Sequence, residues 1–422
     1  VLVKFHPRCG FLTVLLCVLA LPLWARQAPA ENWTQWRGSL RTGSVAGADA
    51  PKTWPNRWQA RWSVEVGEGY SSPVEAGGRL FIHSRNDPDE VVTAIDAANG
   101  SVVWRKAYPA AFAKNQYANA MAKGPNATPL VADGRLFTLG VSGIVVAWDA
   151  ATGRELWRKD FSSQIDSTKL FCGTAASPVL AHGHVIVQVG SDVHGGQILA
   201  LDPATGTTRW TWKGPGPGYA SPFVAEIGGA SHLITMTNES VLGLDARSGA
   251  QLLTIPFRDE WHENIVTPLW TGSRLIVSGT RQGTHAYTVE QSNGRWQTSQ
   301  AWHNTEVAMY MSNPVFADGQ IIGLSARRKG QFVALDVDTG ALHWSSEGRD
   351  ADHASVLHTP THIVFLTSTG DLLLVKRGTT SYATDRRWDD VLPRATYANP
   401  LFLAGDMVVR DATHLTRFSG AN

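Results

Sequence analysis

Along most of this chain the apolar positions fall in short runs or strict alternation, and helical spacing is nearly absent. Leu80-Phe81-Ile82, Val185-Ile186-Val187 and Leu275-Ile276-Val277 are examples, each bounded by Gly, Asp, Asn or Ser. Such runs predict short strands that are buried or half-buried. The segment Ala200-Leu201-Asp202-Pro203-Ala204-Thr205-Gly206-Thr207-Thr208-Arg209-Trp210 predicts how two of them join. One strand ends, a tight turn follows, and a second strand closes on Trp. The Asp side chain can accept amide hydrogens two and three residues on, and the Gly supplies a positive φ.

That hairpin recurs. The same spacing runs through Ala94-Asp96-Asn99-Gly100-Trp104, Ala147-Asp149-Thr152-Gly153-Trp157 and Ala334-Asp336-Thr339-Gly340-Trp344. A weaker copy has Leu253 in the Trp position, and a degraded one keeps Asn293-Gly294 and Trp302. Between copies lies a small or polar residue, then Pro, then an apolar strand. Those prolines are 73, 129, 178, 222, 268, 314, 360 and 400, separated by 56, 49, 44, 46, 46, 46 and 40 residues. A period in the mid-forties with several strands per unit predicts an all-β chain: an eight-bladed β-propeller of four-stranded antiparallel blades. The unit around Trp62 has an end and no beginning, while the last unit (Leu401–Val409, His414–Phe418) has no Trp-bearing outer strand. An N-terminal strand closing the last blade answers both, and removes an exposed sheet edge.

The boundaries that follow are a leader over 1–30, an arm over 31–61 and the propeller over 62–422. Lys4 and Arg8 precede an apolar run from Phe11 to Leu23 and the small-x-small site Ala28-Pro29-Ala30, the pattern of a cleaved secretory signal peptide. An uncleaved anchor is the alternative. The arm's Trp33 and Trp36 predict packing across the propeller's side or bottom. Between the first two prolines, Ala110-Ala111-Phe112-Ala113 predicts a short helix and a cap over one face, and the charged stretch 382–396 a solvated surface.

Charge narrows the partners. Removing the leader takes Lys4, Arg8 and Arg26 and no acid, leaving 34 basic against 36 acidic residues. No basic field is present to attract nucleic acid. Of the cysteines only Cys172 remains, so no intramolecular disulfide is expected. The expectation is a periplasmic or secreted monomer with no transmembrane domain in the mature chain.

With Ala-x-Asp-x-x-Thr-Gly-x-x-x-Trp repeated, the chain resembles the PQQ-like (quinoprotein-type) repeat propellers over about residues 62–418. Asn32-Trp33-Thr34-Gln35-Trp36-Arg37-Gly38 also resembles the start of exported bacterial propellers of the BamB-like group. The resemblance implies the fold and two expectations for function, between which fold does not choose. The first is a binding or scaffold module of the bacterial cell envelope that needs no cofactor and takes an envelope protein or a small polar ligand as partner. The second is a PQQ- and calcium-dependent dehydrogenase of alcohols or sugars, with Glu263, Asn264 or Glu68 on Ca²⁺ and an acidic residue as general base. Enzymatic members often carry vicinal cysteines and a haem-binding Cys-x-x-Cys-His. This chain has neither, which places the binding reading first. A BamB role ordinarily comes with a lipid anchor, which Leu16-Cys17 in mid-run does not encode.

Motifs for nucleotide, zincin or hydrolase chemistry are absent, and His262-Glu263 lacks a second His four residues on. One constellation remains. Residues just before the inner strands should converge on the mouth of the central funnel: Glu68, Tyr70, Lys123, Asn126, Cys172, Thr174, Tyr219, His262, Glu263, Asn264, Tyr310, Asn313, Asp352, His353, Tyr397 and Asn399. They read as a polar ligand pocket, or as channel groups that satisfy one another and ordered water. His262, Glu263 and His353 are the trio for any metal or acid–base role, and Cys172 reads as an inert small residue.

Overall fold

The computed structural model describes residues 1–3, 33–118, 122–166, 170–258, 261, 263–327 and 330–421. Beyond its first three residues, the leader therefore lies outside the described residues. Eight four-stranded antiparallel sheets form the ring. Blades 1 to 7 cover residues 74–109, 130–160, 179–214, 223–256, 269–304, 315–345 and 354–388. Blade 8 pairs Leu401–Leu403, Asp406–Arg410 and His414–Ala421 with the N-terminal strand Arg57–Glu65. The closing strand thus begins at Arg57, ahead of Trp62, and its register runs from Arg57 opposite Ala421 to Glu65 opposite His414.

Burial follows the pattern of the sequence. Second and third strands such as Arg79–Asn86 and Leu372–Lys376 are buried almost throughout, because a neighbouring blade covers each face. Outer strands such as Gln251–Pro256 alternate.

The repeated hairpin has a physical reading for every letter. The Asp202 carboxylate accepts the amides of Ala204 and Thr205 (both 3.0 Å) and the Thr205 hydroxyl (3.1 Å), and Asp149 and Asp336 repeat the arrangement. The Ala faces the Trp across the sheet: Ala94 pairs with Trp104, Ala147 with Trp157, Ala200 with Trp210, Ala334 with Trp344. These alanines are wholly buried under the indole, where a larger side chain has no room. Each Trp then reaches the next blade. Trp62 lies over Gly100, Trp104 over Gly153, Trp157 over Gly206, Trp210 over Gly249 and Trp302 over Gly340.

Three expectations are corrected. Pro360 does not open an inner strand; it lies in the hairpin between Ala354–His358 and His362–Thr367. Strand pairing puts Ser355 and Val356 of blade 7 where the other blades have the polar residue and Pro. Ala110–Ala113 is not helical; the turn of 3-10 helix lies at Gln116–Ala118.

The arm, third, does more than line the side or bottom. It crosses the axis. The Trp33 and Thr34 carbonyls accept the amides of Glu75 in blade 1 and Val131 in blade 2, both at 2.8 Å. Val45 and Gly43 bond His358 of blade 7, and Asp49 accepts the Gly405 amide of blade 8. Arg41 donates to the carbonyls of Ser177 (3.1 Å) and Pro178 (2.8 Å) in blade 3, and Arg37 to those of Asn313 (3.2 Å) and Pro314 (2.8 Å) in blade 6. Both arginines have positive φ, 61° and 59°, and both are buried. Their guanidinium carbons lie 5.6 and 5.4 Å from the Trp36 ring centroid.

Candidate functional site

At the start of the inner strands the polar side chains form a collar. The Ser72 amide donates to the Thr128 hydroxyl (3.0 Å), the Thr128 amide to Ser177 (3.0 Å) and the Ser177 amide to Ser221 (2.9 Å). The Ser221 amide donates to Thr267 (3.0 Å) and the Thr267 amide to Asn313 Oδ1 (2.8 Å). From the far side of the gap at blade 7, the Asn399 amide donates to the Ser72 hydroxyl at 2.8 Å. A following Pro holds each of these residues extended, and the neighbour's side chain satisfies an amide that would otherwise be buried without a partner. Blade 7, which lacks the Pro, departs from the pattern: the Ser355 hydroxyl donates to the Ala398 carbonyl at 3.1 Å.

The collar, Trp36 and a second tier of side chains enclose a cavity of about 730 Å³, a volume suited to a small organic molecule. Tyr70 meets Tyr397 edge-on at 4.8 Å, and His353 stacks on Tyr397 at 5.0 Å. The Tyr310 hydroxyl donates to Glu263 at 2.5 Å, and the Tyr219 hydroxyl accepts the Cys172 amide at 3.2 Å. Asn126 donates to the Cys172 carbonyl at 3.1 Å. At the rim Tyr117 (80 % exposed) packs against Phe171, and Trp261 is 61 % exposed.

Burial sets the charge state. It raises the Tyr70, Tyr219 and Tyr397 hydroxyls, lifts the Cys172 thiol to about 11 with help from the Glu263 charge, and drops His353 to about 4. These groups are neutral at pH 7. Among the described lining residues Glu263 is the one carboxyl, and none is Lys or Arg. Positive charge lies one layer behind. Burial lowers Arg37 and Arg41 to about 9, so both stay protonated, and the acceptors they hold are neutral oxygens.

Of the residues expected at the funnel, Tyr70, Asn126, Cys172, Tyr219, Glu263, Tyr310, Asn313, His353, Tyr397 and Asn399 line this cavity together. Three do not. Glu68 belongs to a separate cleft of about 300 Å³ with Arg85 and Asp87. Its carboxylate accepts the Lys123 amide, and the Lys123 ammonium pairs with Asp87. Asn264, at φ 37°, turns its amide into blade 4 and donates to the carbonyls of Thr237 and Phe257, both at 2.8 Å. Thr174 and Asp352 also lie off the cavity wall, Asp352 paired with Arg349. His262 lies outside the described residues. His353 makes its hydrogen bond to Ser312 rather than to Glu263, so these two do not form an acid–base pair. Trp36, Tyr117, Phe171, Trp261 and the collar hydroxyls line the cavity in addition to the residues expected from the sequence. The small polar residue before each Pro was the signal for the collar.

The donor set can be tested against PQQ and Ca²⁺. PQQ is a tricarboxylate, and Ca²⁺ takes six or more oxygen ligands. Among the described residues no three His, Cys, Asp or Glu side chains converge, and the wall offers one carboxyl and no cation. The residues do not fit the pair.

Blade motif and ring together define a PQQ-like repeat propeller. A family profile described as "Outer membrane protein assembly factor BamB" matches residues 41–122, 88–346 and 237–420, and the chain belongs to that family. The Yersinia pestis outer membrane protein assembly factor BamB is 24% identical over 267 residues, 63% of this chain and 61% of that relative. The crystal structure of BamB from Moraxella catarrhalis superposes with a TM-score of 0.62 at 16% identity, covering 86% of this chain and all (100%) of the other. The quinohemoprotein alcohol dehydrogenase of Comamonas testosteroni gives 0.66 at 14% identity, covering 94% and 82%. At these identities the two structures share the fold alone.

Proposed function

We propose that the protein is a non-enzymatic binding module of the bacterial cell envelope, exported by its leader, that docks a component of outer-membrane protein assembly on the face where the cup opens. The observation that carries this reading is the rim: Tyr117 and Trp261 stand exposed around the mouth. Exposed aromatics of this kind anchor protein interfaces. Family membership supports the partner class, and the poor match of the wall to PQQ and Ca²⁺ weighs against the dehydrogenase. The test is co-purification of the tagged chain with the assembly machinery in its own host. A Tyr117→Ala, Trp261→Ala double variant should lose the partner without a change in melting temperature. Capture by that variant equal to the parent's refutes the rim as the docking face. Titration with PQQ and Ca²⁺, read by tryptophan fluorescence, tests the enzyme: calcium-dependent micromolar quenching overturns the proposal.

A further inference from the structure

The collar hydroxyls are only half used. Ser72, Thr128, Ser177, Ser221 and Thr267 each accept an amide hydrogen from the neighbouring blade, and none of the five hydroxyl protons has an acceptor among the described residues. All five are at least nine-tenths buried (1, 1, 1, 4 and 9 % exposed), and all five line the same cavity. An oxygen that already accepts a hydrogen bond is left with its proton to give. Five donors on an arc open at blade 7 therefore face one cavity, in which the Glu263 carboxylate is engaged by the Tyr310 hydroxyl instead.

Charge selects what they would take. The guanidinium groups of Arg37 and Arg41 bond the backbone carbonyls of Asn313 and Ser177, two of the residues on the cavity wall, and lie against the Trp36 indole. Among the described residues no carboxylate pairs with either guanidinium, and the low-dielectric surroundings carry their field toward the collar. Buried donors backed by cations favour an oxyanion over a neutral acceptor. Above the collar the wall turns to the faces of Tyr70, Tyr219, Tyr310 and Tyr397, and Glu263 brings negative charge that disfavours a second acidic group.

We propose that the collar is an acid-binding site: it seats the carboxylate of a monoanionic ligand whose aromatic or aliphatic body packs among the tyrosines. The site is independent of any protein docked on the rim. Thr267 and Thr128 are its most accessible probes, because valine keeps their shape and removes the hydroxyl.

The experiment is calorimetric titration of the full chain at pH 7 with 3-phenylpropionate and with 3-phenylpropionamide, its neutral analogue. The acid should bind at least ~10-fold more tightly, as expected for a charge-assisted contact. Thr267→Val should shrink that advantage several-fold while amide binding stays, and Thr267→Ser should keep it. An acid-to-amide ratio near one, no binding of either at millimolar concentration, or an unchanged ratio in Thr267→Val overturns the site. Should Thr267→Val fail to fold, the ratio in the unaltered protein still decides. Failure of partner capture at the rim leaves that ratio untouched, so the two ideas fall separately.

Discussion

Trp157 of blade 2 presses so closely on Gly206 of blade 3 that a methyl group on the glycine would sit 2.7 Å from the indole Cδ2. The indole N–H donates to the Pro203 carbonyl at 3.0 Å, fixing the ring over the turn. Gly206 also has φ 71°, so alanine there meets both a backbone penalty and a clash. Gly206→Ala should cost about 2–4 kcal/mol. Gly134 has a similar φ of 72° with nothing within 4 Å of its added carbon, so Gly134→Ala isolates the backbone part at about 1–2 kcal/mol. Denaturation midpoints of the two variants test this. Equal losses would mean that the Trp contact does not constrain the blade interface.

Arg41 ties the arm to blade 3 through two carbonyls and to Gln35 Oε1 at 3.1 Å, all from a buried position. Arg41→Ala strands those acceptors and should cost about 2–4 kcal/mol. Arg41→Lys should not rescue it, because an ammonium cannot span the acceptors as a planar fork does. Thermal melting with tryptophan fluorescence reads both, and restoration by lysine would show that charge alone holds the arm.

The repeated turns make a prediction about acid. Hydrogen bonds from Thr152 to Asp149, from Arg209 and then Thr205 to Asp202, and from Thr339 to Asp336 hold these carboxyls below the ordinary range. A carboxyl whose pKa falls on folding contributes stability that is complete above the unfolded value, near 3.9, and lost as pH drops through the folded one. On their account the melting temperature should be flat from pH 7 to about 4 and fall below it. A triple Asp→Asn variant at 149, 202 and 336 should melt lower at pH 7 and lose less between pH 4 and 2. An acid limb as steep as the parent's would assign acid unfolding to other groups.

What was legible in the sequence and what was not divides along the range of the interactions. Asp202, Thr205, Gly206 and Trp210 act within one hairpin and repeat, so their spacing exposes the blade. The prolines mark inner strands for the same reason. Pro360 misleads because it keeps the count of one per unit while serving a different turn. Asn264 and Glu68 sit at the right height in the chain, but side-chain direction is set by φ 37° at one and by pairing with the Arg85 strand at the other. The arm was least legible. Arg37 and Arg41 find acceptors 136 to 277 residues away, on carbonyls that exist as a site only after the ring has closed.

Cys172 tests whether the cup is as closed as its geometry implies. Burial, and after it the charge of Glu263, push the thiol to about 11. An ordinary cysteine has a pKa near 8.5, so at pH 8 the thiolate fraction here is roughly two orders of magnitude smaller. Alkylation by iodoacetamide should be slowed by about that factor relative to the unfolded chain, with a rate still rising above pH 10. Glu263→Gln keeps an acceptor for the Tyr310 hydroxyl and removes the second cause, so labelling should speed up while remaining slower than in the unfolded chain. Labelling at the unfolded rate would mean that Cys172 is open to water. No response to Glu263→Gln would mean that the two side chains do not share one cavity, and the assembled wall would have to be redrawn.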